Sequence, residues 1–252
     1  MIRLGIDIGG SSIKGALVDT TRGVFASERV AIKTPASLEP DDVVQTVCDV
    51  VQRFPTYEGP VGLGFPAVVL DGAPQSPFTA HGAPGWIGYP LTRVLGEWLG
   101  RPATMVNDAD AAGVAEMRFG NGRGEKGVVL VLTLGTGIGS GLFIDGQLVP
   151  NTELGLLYLR GQEQVAEKVA AARIRDEQGL SWEAYAARLD EYLTHVYDLF
   201  SPRLIILGGG ISKDHQQFVP RLTVKTRVAP AALRNRAGII GAATMALASE
   251  LA

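Results

Sequence analysis

The stretch LGIDIGGSSIKGALVD, residues 4–19, carries the strongest indication of the fold class. Two apolar runs that favour β-strands flank a turn of glycine and serine, and the carboxylate Asp7 stands just before that turn. A P-loop needs GxxxxGK[ST] at the start of a helix, and a dinucleotide fingerprint needs a helix after its glycines. A second strand follows here, so we predict a β-hairpin whose turn faces a ligand.

The turn offers groups that suit a phosphate. Backbone amides at glycine approach a ligand closely, and serine hydroxyls and a lysine add further donors. Asp7 would hold a hydrated Mg²⁺ against the phosphate, since this ion prefers carboxylate and phosphate oxygens. A hairpin with an incidental aspartate at its strand end is the alternative. The phosphate-binding candidates are Gly9, Gly10, Ser11, Ser12 and Lys14.

Composition narrows the class of protein. The chain has 252 residues, 46% apolar and 19% charged, which is ample for a buried core. A formal charge of -3 argues against a general nucleic-acid-binding surface, and the single cysteine, Cys48, allows no intramolecular disulfide and no cysteine-rich zinc site. No leader pattern and no long apolar run is evident, so we expect a cytoplasmic protein without a membrane partner.

Periodicity predicts an α/β protein with mixed sheets, because hairpin strands are followed by alternating strands and helices. A helix opens after Asp108. Strands are predicted at 2–8, 13–19, 24–32, 61–65, 103–107, 127–134, 140–145, 148–150 and 203–207, and helices at 39–54, 91–99, 163–177, 182–200, 214–226 and 238–250.

An internal repeat links the two halves of the chain. A shift of 126 residues aligns IGGSSIKGALVD (8–19) with LGTGIGSGLFID (134–145), and it places Thr133 opposite Asp7. Chance similarity between glycine-rich segments is the alternative to duplication. If the halves are related, both offer a glycine loop to one ligand, but only the first brings a carboxylate.

The segment VNDADAAGVAE, 106–116, is a second candidate site. Asn107 and Asp108 lie where a strand ends and a helix begins, and ligands bind at such positions in open α/β sheets. Asp108 could accept the proton of an attacking hydroxyl. One of the two side chains could instead cap the helix, which leaves the other to explain.

Two further glycine loops follow strands in the second half, in TLGTGIGSG and LGGGIS. Their candidates for donor binding are Thr133, Gly135, Thr136, Gly137, Gly208, Gly209, Gly210 and Lys213. Residues 201–236 carry seven Lys or Arg and one acid. This basic stretch is either a solvated surface or a track for a long polyanion.

The motifs IDIGGSSIKGALVD, NDADAAGVAE, LTLGTGIGSGLFIDGQLVPNTELG and LGGGISK together resemble the ROK family of sugar kinases, within the actin-like ATPase superfamily. The segments LSWEAYAARLDEYL and LRNRAGIIGAA look more narrowly like polyphosphate glucokinases, which use polyphosphate and often ATP. The resemblance covers essentially the whole chain. It implies two ribonuclease-H-like domains around a central cleft, 1–108 joined by the helix 238–252 and then 109–237, in a homodimer.

The resemblance also implies roles for single residues. Asp7 would handle Mg²⁺, Asp108 would be the catalytic base, and Asn107 and Glu153 would join it in binding the sugar. The family's zinc-binding cysteine cluster is missing, so no zinc is expected. The glycine loops would bind polyphosphate, ATP or both.

Two departures concern the sugar. Family members generally read ELGH where this chain reads ELGL, so Leu156 replaces a histidine that contacts the sugar. In TAHGAPGWIG, His81 stands where an asparagine is usual, and it either replaces part of that contact or faces solvent.

We therefore expect a kinase that phosphorylates glucose or another hexose. A non-catalytic sugar sensor is the alternative from a different class, and DNA binding is not expected, because the chain starts directly at the first strand.

Overall fold

The computed structural model of the protein describes residues 1–78 and 84–246. The chain divides into two compact units, one made of Met1–Ala115 with the segment from Arg236 onward and the other of Glu116–Asn235. Each unit contains a main sheet with both parallel and antiparallel pairs, so the predicted α/β class with mixed sheets is confirmed. Within the described ranges, no helix has the length and apolar character needed to cross a membrane.

The first unit is built on a sheet of order β3-β2-β1-β5-β8, with β4 also paired to β2. The opening stretch forms the predicted hairpin, in which β1 and β2 are antiparallel. The strands of this unit are β1 (Ile2–Ile8), β2 (Ser12–Asp19), β3 (Val24–Phe25), β4 (Val30–Lys33), β5 (Val61–Phe65), the small hairpin β6 (Val69–Leu70) and β7 (Ala73–Pro74), and β8 (Ala103–Asn107).

The described α-helices that belong wholly or mainly to this unit are α1 (Pro40–Gln52), α2 (Leu91–Leu99), α3 (Asp108–Phe119) and α8 (Ala237–Met245). Cys48 lies on the buried face of α1, as its spacing predicts. Helix α8 packs directly on the sheet backbone: a Cβ at Gly5 would lie 2.0 Å from the carbonyl oxygen of Ile239, and one at Gly62 would lie 1.9 Å from that of Ala242. Only glycine permits this close approach.

The second unit has a sheet of order β11-β10-β9-β12-β13. Helix α6 begins at its predicted cap, where the Ser181 hydroxyl accepts a hydrogen bond from the Ala184 amide at 3.1 Å. The elements are β9 (Val128–Leu134), β10 (Ile138–Ile144), β11 (Gln147–Val149), β12 (Leu204–Gly208), β13 (Arg227–Pro230), α4 (Glu167–Ala170), α5 (Ala172–Glu177), α6 (Trp182–Phe200) and α7 (His215–Phe218).

The two main sheets share one strand order. In each, the first strand of a glycine-turn hairpin lies at the centre, pairs antiparallel with the strand after it, and pairs parallel on its other side. Asp7 faces Gly64 across the parallel pair of the first sheet, and Thr133 faces Gly208 in the second. A short sequence similarity between two segments could arise by chance, but the common topology of the two sheets favours duplication.

Three predicted elements differ in the structure. The strand expected at 24–32 is interrupted after Phe25, where the Leu17 amide of β2 donates to the Ser27 hydroxyl at 3.0 Å and not to a backbone carbonyl. The helix expected at 163–177 starts later and is split into α4 and α5 by Ala171, whose ψ of 154° is extended. Of the helix expected at 214–226, only α7 and short 3-10 turns form, and the unpredicted edge strand β13 follows. Edge strands tolerate a proline such as Pro230.

Candidate active site

The β1–β2 hairpin places Asp7 beside Lys14. These residues face each other across the two strands, and their charged atoms Oδ2 and Nζ lie 3.6 Å apart. Burial raises the pKa of the Asp7 carboxyl, and the Lys14 ammonium opposes that shift. Asp7 therefore lies in a site of reduced solvation with a cation beside its carboxyl group.

The turn between these strands is anchored on its outer side by Thr34, at the end of β4. The Thr34 hydroxyl donates to the carbonyl oxygen of Gly9, and its amide donates to that of Ser11 at 3.2 Å. Gly10 and Ser11 are exposed at the tip. The backbone of the turn is thus held while its tip remains accessible to a ligand.

Asn107 is the cap of α3. Its side-chain oxygen accepts hydrogen bonds from the amides of Ala109 at 2.9 Å and Asp110 at 3.1 Å. Its side-chain nitrogen donates to the carbonyl oxygen of Ala67 at 3.1 Å, and the residue is buried. Of the two candidates Asn107 and Asp108, Asn107 is therefore the residue that caps α3.

Asp108 is the first residue of α3 and is half-buried. It follows directly after β8, whose neighbour in the sheet is the parallel strand β5. A Cβ at Gly64 of β5 would lie 3.7 Å from the Asp108 Cα, so the start of α3 packs close to this strand. A negative charge at a helix N-terminus is also electrostatically favourable.

In the second unit, the two predicted donor loops follow neighbouring parallel strands, β9 and β12, in register at Thr133 and Gly208. Gly209 has a φ of 81°, and a Cβ there would lie 2.2 Å from the carbonyl oxygen of Leu134. Only glycine fits between the loops. The two loops lie close together because the carboxyl ends of the parallel strands β9 and β12 share one edge of the sheet.

A pocket of about 550 Å³ lies at these loops. Four of the predicted donor residues line it, namely Gly135, Thr136, Gly210 and Lys213. The other predicted residues, Thr133, Gly137, Gly208 and Gly209, are not part of its lining and shape the loops instead. The pocket is closed on another side by α5, which contributes Arg173 and Arg175, and by Trp182. Sequence reasoning missed these three residues, because it placed α5 within a longer helix.

The cations of the basic stretch 201–236 lie in different surroundings. Arg227 forms an ion pair with Glu125, and Arg221 donates to the carbonyl oxygen of Gln217. Lys213, in contrast, lines the pocket. The cations that meet at the pocket come from two places in the chain, Lys213 after β12 and the arginines of α5.

Glu153 is half-buried and precedes the 3-10 turn Leu154–Leu156. Burial raises the pKa of its carboxyl, and the nearby carboxylate of Glu167 raises it further. Glu167 was not among the residues predicted from sequence, although its Oε2 would lie 2.5 Å from a Cβ at Gly137. Two carboxylates and a glycine loop therefore meet in this part of the second unit.

Comparison with known proteins assigns the family. The model of the ROK family matches residues 3–155. A polyphosphate glucokinase from Mycobacterium tuberculosis (strain ATCC 25618 / H37Rv) is 40% identical over 245 residues, which cover 97% of this chain and 91% of that protein. The chain belongs to the ROK family. The resemblance inferred from the four motifs is confirmed.

Solved structures agree with the fold of this ROK protein. An inorganic polyphosphate/ATP-glucomannokinase from Arthrobacter sp. strain KM has a TM-score of 0.92 at 44% identity, covering 98% of this chain and 99% of that one. A ROK glucokinase from Streptomyces griseus in complex with glucose and AMPPNP has a TM-score of 0.79 at 24% identity, covering 98% and 100%. The second likeness shows the fold alone. The predicted actin-like ATPase fold is confirmed.

Of the two positions at which this chain departs from the family pattern, the structure describes Leu156 and not His81. Leu156 ends a 3-10 turn, and 53% of its surface is exposed. An apolar side chain at this position contributes little to the core, so its packing does not explain why leucine is present. His81 lies outside the residues that the structure describes.

The carboxylate of Asp7 could supply one protein ligand to a magnesium ion. Within residues 1–78 and 84–246, no three His, Cys, Asp or Glu side chains are grouped so as to hold a metal. Magnesium typically takes one or two protein carboxylates and completes its coordination with phosphate oxygens and water. The single carboxylate of Asp7 beside the exposed glycine turn provides that donor set.

Proposed function

We propose that this ROK protein is a hexose kinase that transfers a phosphoryl group from polyphosphate or ATP to the 6-hydroxyl of glucose or a closely related hexose. The observation that carries the proposal is the near-full-length similarity to the M. tuberculosis polyphosphate glucokinase and the Arthrobacter glucomannokinase.

Asp108 is proposed to act as the general base. Its carboxylate would accept the proton of the sugar hydroxyl, whose oxygen attacks the terminal phosphorus while the bridging oxygen of the donor leaves with the bonding electron pair. Asn107 supports this role, because its cap fixes the first turn of α3 through Ala109 and Asp110. We therefore treat Asn107 as a positioning residue that has one amide hydrogen left for a sugar hydroxyl.

The donor is proposed to bind through glycine-loop amides and cations. The turn from Gly9 to Ser12 offers amides and hydroxyls in the first unit, and the loops after β9 and β12 do so in the second. Lys14 and Lys213 add positive charge that would stabilise negative charge on the phosphoryl group. Magnesium, when bound at Asp7, would neutralise donor oxygens and withdraw charge from the phosphorus.

The sugar is proposed to contact Glu153, with Glu167 as a second carboxylate nearby. A carboxylate accepts hydrogen bonds from sugar hydroxyls, and reduced solvation strengthens such bonds. His81 stays a proposed sugar contact on the strength of the family resemblance alone. The exposed leucine at position 156 removes a polar partner, which favours either a weaker glucose site or another hexose such as mannose, a sugar that the name of the Arthrobacter enzyme implies.

A second candidate is a non-catalytic sugar-binding protein on the same fold, and the observation that favours it is Leu156. The enzyme is preferred, because Asp108 is not needed as a helix cap when Asn107 fills that place.

We also propose that the protein is a cytoplasmic homodimer, as expected for this family, with no zinc and no nucleic-acid partner. Light scattering during gel filtration tests the oligomeric state.

The deciding experiment measures sugar phosphate formation by the purified protein with Mg²⁺. Glucose, mannose, fructose and N-acetylated aminosugars are each offered with polyphosphate and with ATP. Hexose 6-phosphate that forms with either donor, and is lost on removing Mg²⁺, supports the kinase. Calorimetric sugar binding without turnover for any donor and sugar pair would replace it with the sugar-binding alternative.

A further inference from the structure

The guanidinium group of Arg175 covers one face of the Trp182 ring. The guanidinium carbon of Arg175 is 3.7 Å from the centre of this ring, a cation–π contact at van der Waals distance, and both residues line the pocket at the donor loops. A flat nucleobase stacks on an aromatic ring at about the same separation. The base and this guanidinium therefore cannot occupy the same place on Trp182.

The ring itself is held by aromatic neighbours. Phe218 packs nearly parallel to Trp182, with centroids 5.9 Å apart and an interplanar angle of 18°, and Tyr185 meets it edge-on at 6.4 Å. Tyr185 and Phe218 are fully buried. Because the ring cannot easily turn away, any ligand that needs its surface must move Arg175 instead.

Arg175 is oriented by a second contact. Its terminal nitrogen donates to Asp176 at 2.9 Å, and the neighbouring Arg173 has its Nε 3.6 Å from Glu177. The carboxylate partners are 75% and 58% exposed, so these ion pairs are solvated and weak. An arginine has further N–H donors beyond those used in one such pair. Both guanidinium groups therefore keep donors for a phosphate chain.

The loop after β12 adds Lys213 on another side of the pocket, together with the Thr136 hydroxyl from the loop after β9. The lining also includes the carboxylates Asp176, Glu177 and Asp214, and the first two pair with the arginines. Phosphate groups beyond the one transferred would replace these carboxylates as partners of the arginines, and the Thr136 hydroxyl would add a further contact. A nucleotide offers only its triphosphate to these groups and must also place a base and a ribose. A polyphosphate offers a phosphate at every position along the pocket.

We propose that Arg175, held on the ring of Trp182, makes this pocket select polyphosphate over a nucleotide as the donor. The inference rests on the proposed kinase function, and it deepens that function by naming the donor class and the residue that sets it. Arg175 acts in two ways: it supplies a phosphate contact, and it denies the aromatic surface to a nucleobase.

The test compares ligands that differ only by the nucleoside. Binding of tripolyphosphate, linear polyphosphate and the non-hydrolysable ATP analogue AMPPNP is measured by calorimetry with the full chain and Mg²⁺. In the parent protein, AMPPNP should bind no more tightly than tripolyphosphate. In Arg175→Ala, polyphosphate should bind about tenfold more weakly, whereas AMPPNP should now bind about tenfold more tightly than tripolyphosphate.

Three further variants separate the two roles. Arg173→Ala removes a cation and leaves Trp182 covered, so it should weaken all three phosphates without favouring AMPPNP. Adding Trp182→Ala to Arg175→Ala should abolish the gain for AMPPNP, because the base loses its stacking surface. Arg188→Ala removes an arginine of α6 that hydrogen-bonds to Gln178 and does not line the pocket, so this variant should change nothing.

Equal loss of tripolyphosphate and AMPPNP affinity in Arg175→Ala would overturn the proposal, as would a gain for AMPPNP that survives removal of Trp182. Tighter AMPPNP than tripolyphosphate binding in the parent protein would also overturn it. Steady-state kcat/KM with polyphosphate and ATP is measured in parallel. If the binding changes occur but no sugar is phosphorylated, the kinase function fails while the donor-site assignment stands.

Discussion

The side-chain nitrogen of Asn107 donates a hydrogen bond to the carbonyl oxygen of Ala67 at 3.1 Å, which ties the end of β8 to the chain that follows β5. The other end of the same amide caps α3. One buried side chain therefore fixes the strand end, the helix start and the segment beside them. Asp108, the proposed base, is the next residue in the chain.

Replacing Asn107 should destabilise the protein. In Asn107→Ala the amides of Ala109 and Asp110 lose their acceptor and the Ala67 carbonyl loses its donor, so we expect a loss of about 2–4 kcal/mol in the free energy of unfolding. Asn107→Ser keeps an oxygen that can cap the helix and loses only the donor to Ala67, and it should cost about 1–2 kcal/mol. Urea titration measures both. Equal costs for the two variants would contradict the capping role.

Asp108→Asn should abolish turnover with little effect on stability. The variant keeps the size of the side chain but cannot accept the proton, so kcat should fall by about three orders of magnitude or more. Loss of one charge at the start of α3 should cost less than about 1 kcal/mol of stability. Sugar binding by calorimetry should persist. Turnover near the parent rate would remove Asp108 from the mechanism.

Stability should depend on pH through Glu153. Its folded-state pKa is raised by burial and by Glu167, so its contribution to stability is present below the unfolded value of about 4.5 and is lost as pH rises through the higher folded value. Glu153→Gln should therefore raise Tm at neutral pH, and the gain should shrink towards pH 4.5. The exposed Glu163→Gln is the control. A gain that does not vary with pH would contradict this assignment.

Leu156→His should lower KM for glucose, by about tenfold if one hydrogen bond to a sugar hydroxyl is restored. The leucine is 53% exposed, so the change should leave Tm nearly constant. Tyr158→His, at a neighbouring position that is 64% exposed, should leave KM unchanged. An unchanged or raised KM in Leu156→His would indicate that the site is shaped for a sugar other than glucose.

Much of the fold could be predicted because its patterns are local. Strand alternation around Asp7 and glycine in the turn specify the β1–β2 hairpin, and the apolar face of α6 with its Ser181 cap specifies that helix. The split of α4 from α5 at Ala171 was missed, since no proline or glycine marks it. The edge strand β13 was missed as well, because parallel pairing with β12 is a long-range contact.

The class of fold, the family and the glycine loops could be predicted from the amino-acid sequence, because they depend on periodicity and on residue types that stand close together in the chain. The folded structure was needed to find that Asn107 caps α3 and that Arg175 covers Trp182 in the pocket that Lys213 also lines. Such relationships join residues from separate elements, and local propensity carries no information about which distant side chains will meet. The helix cap and the covered aromatic ring arise from packing.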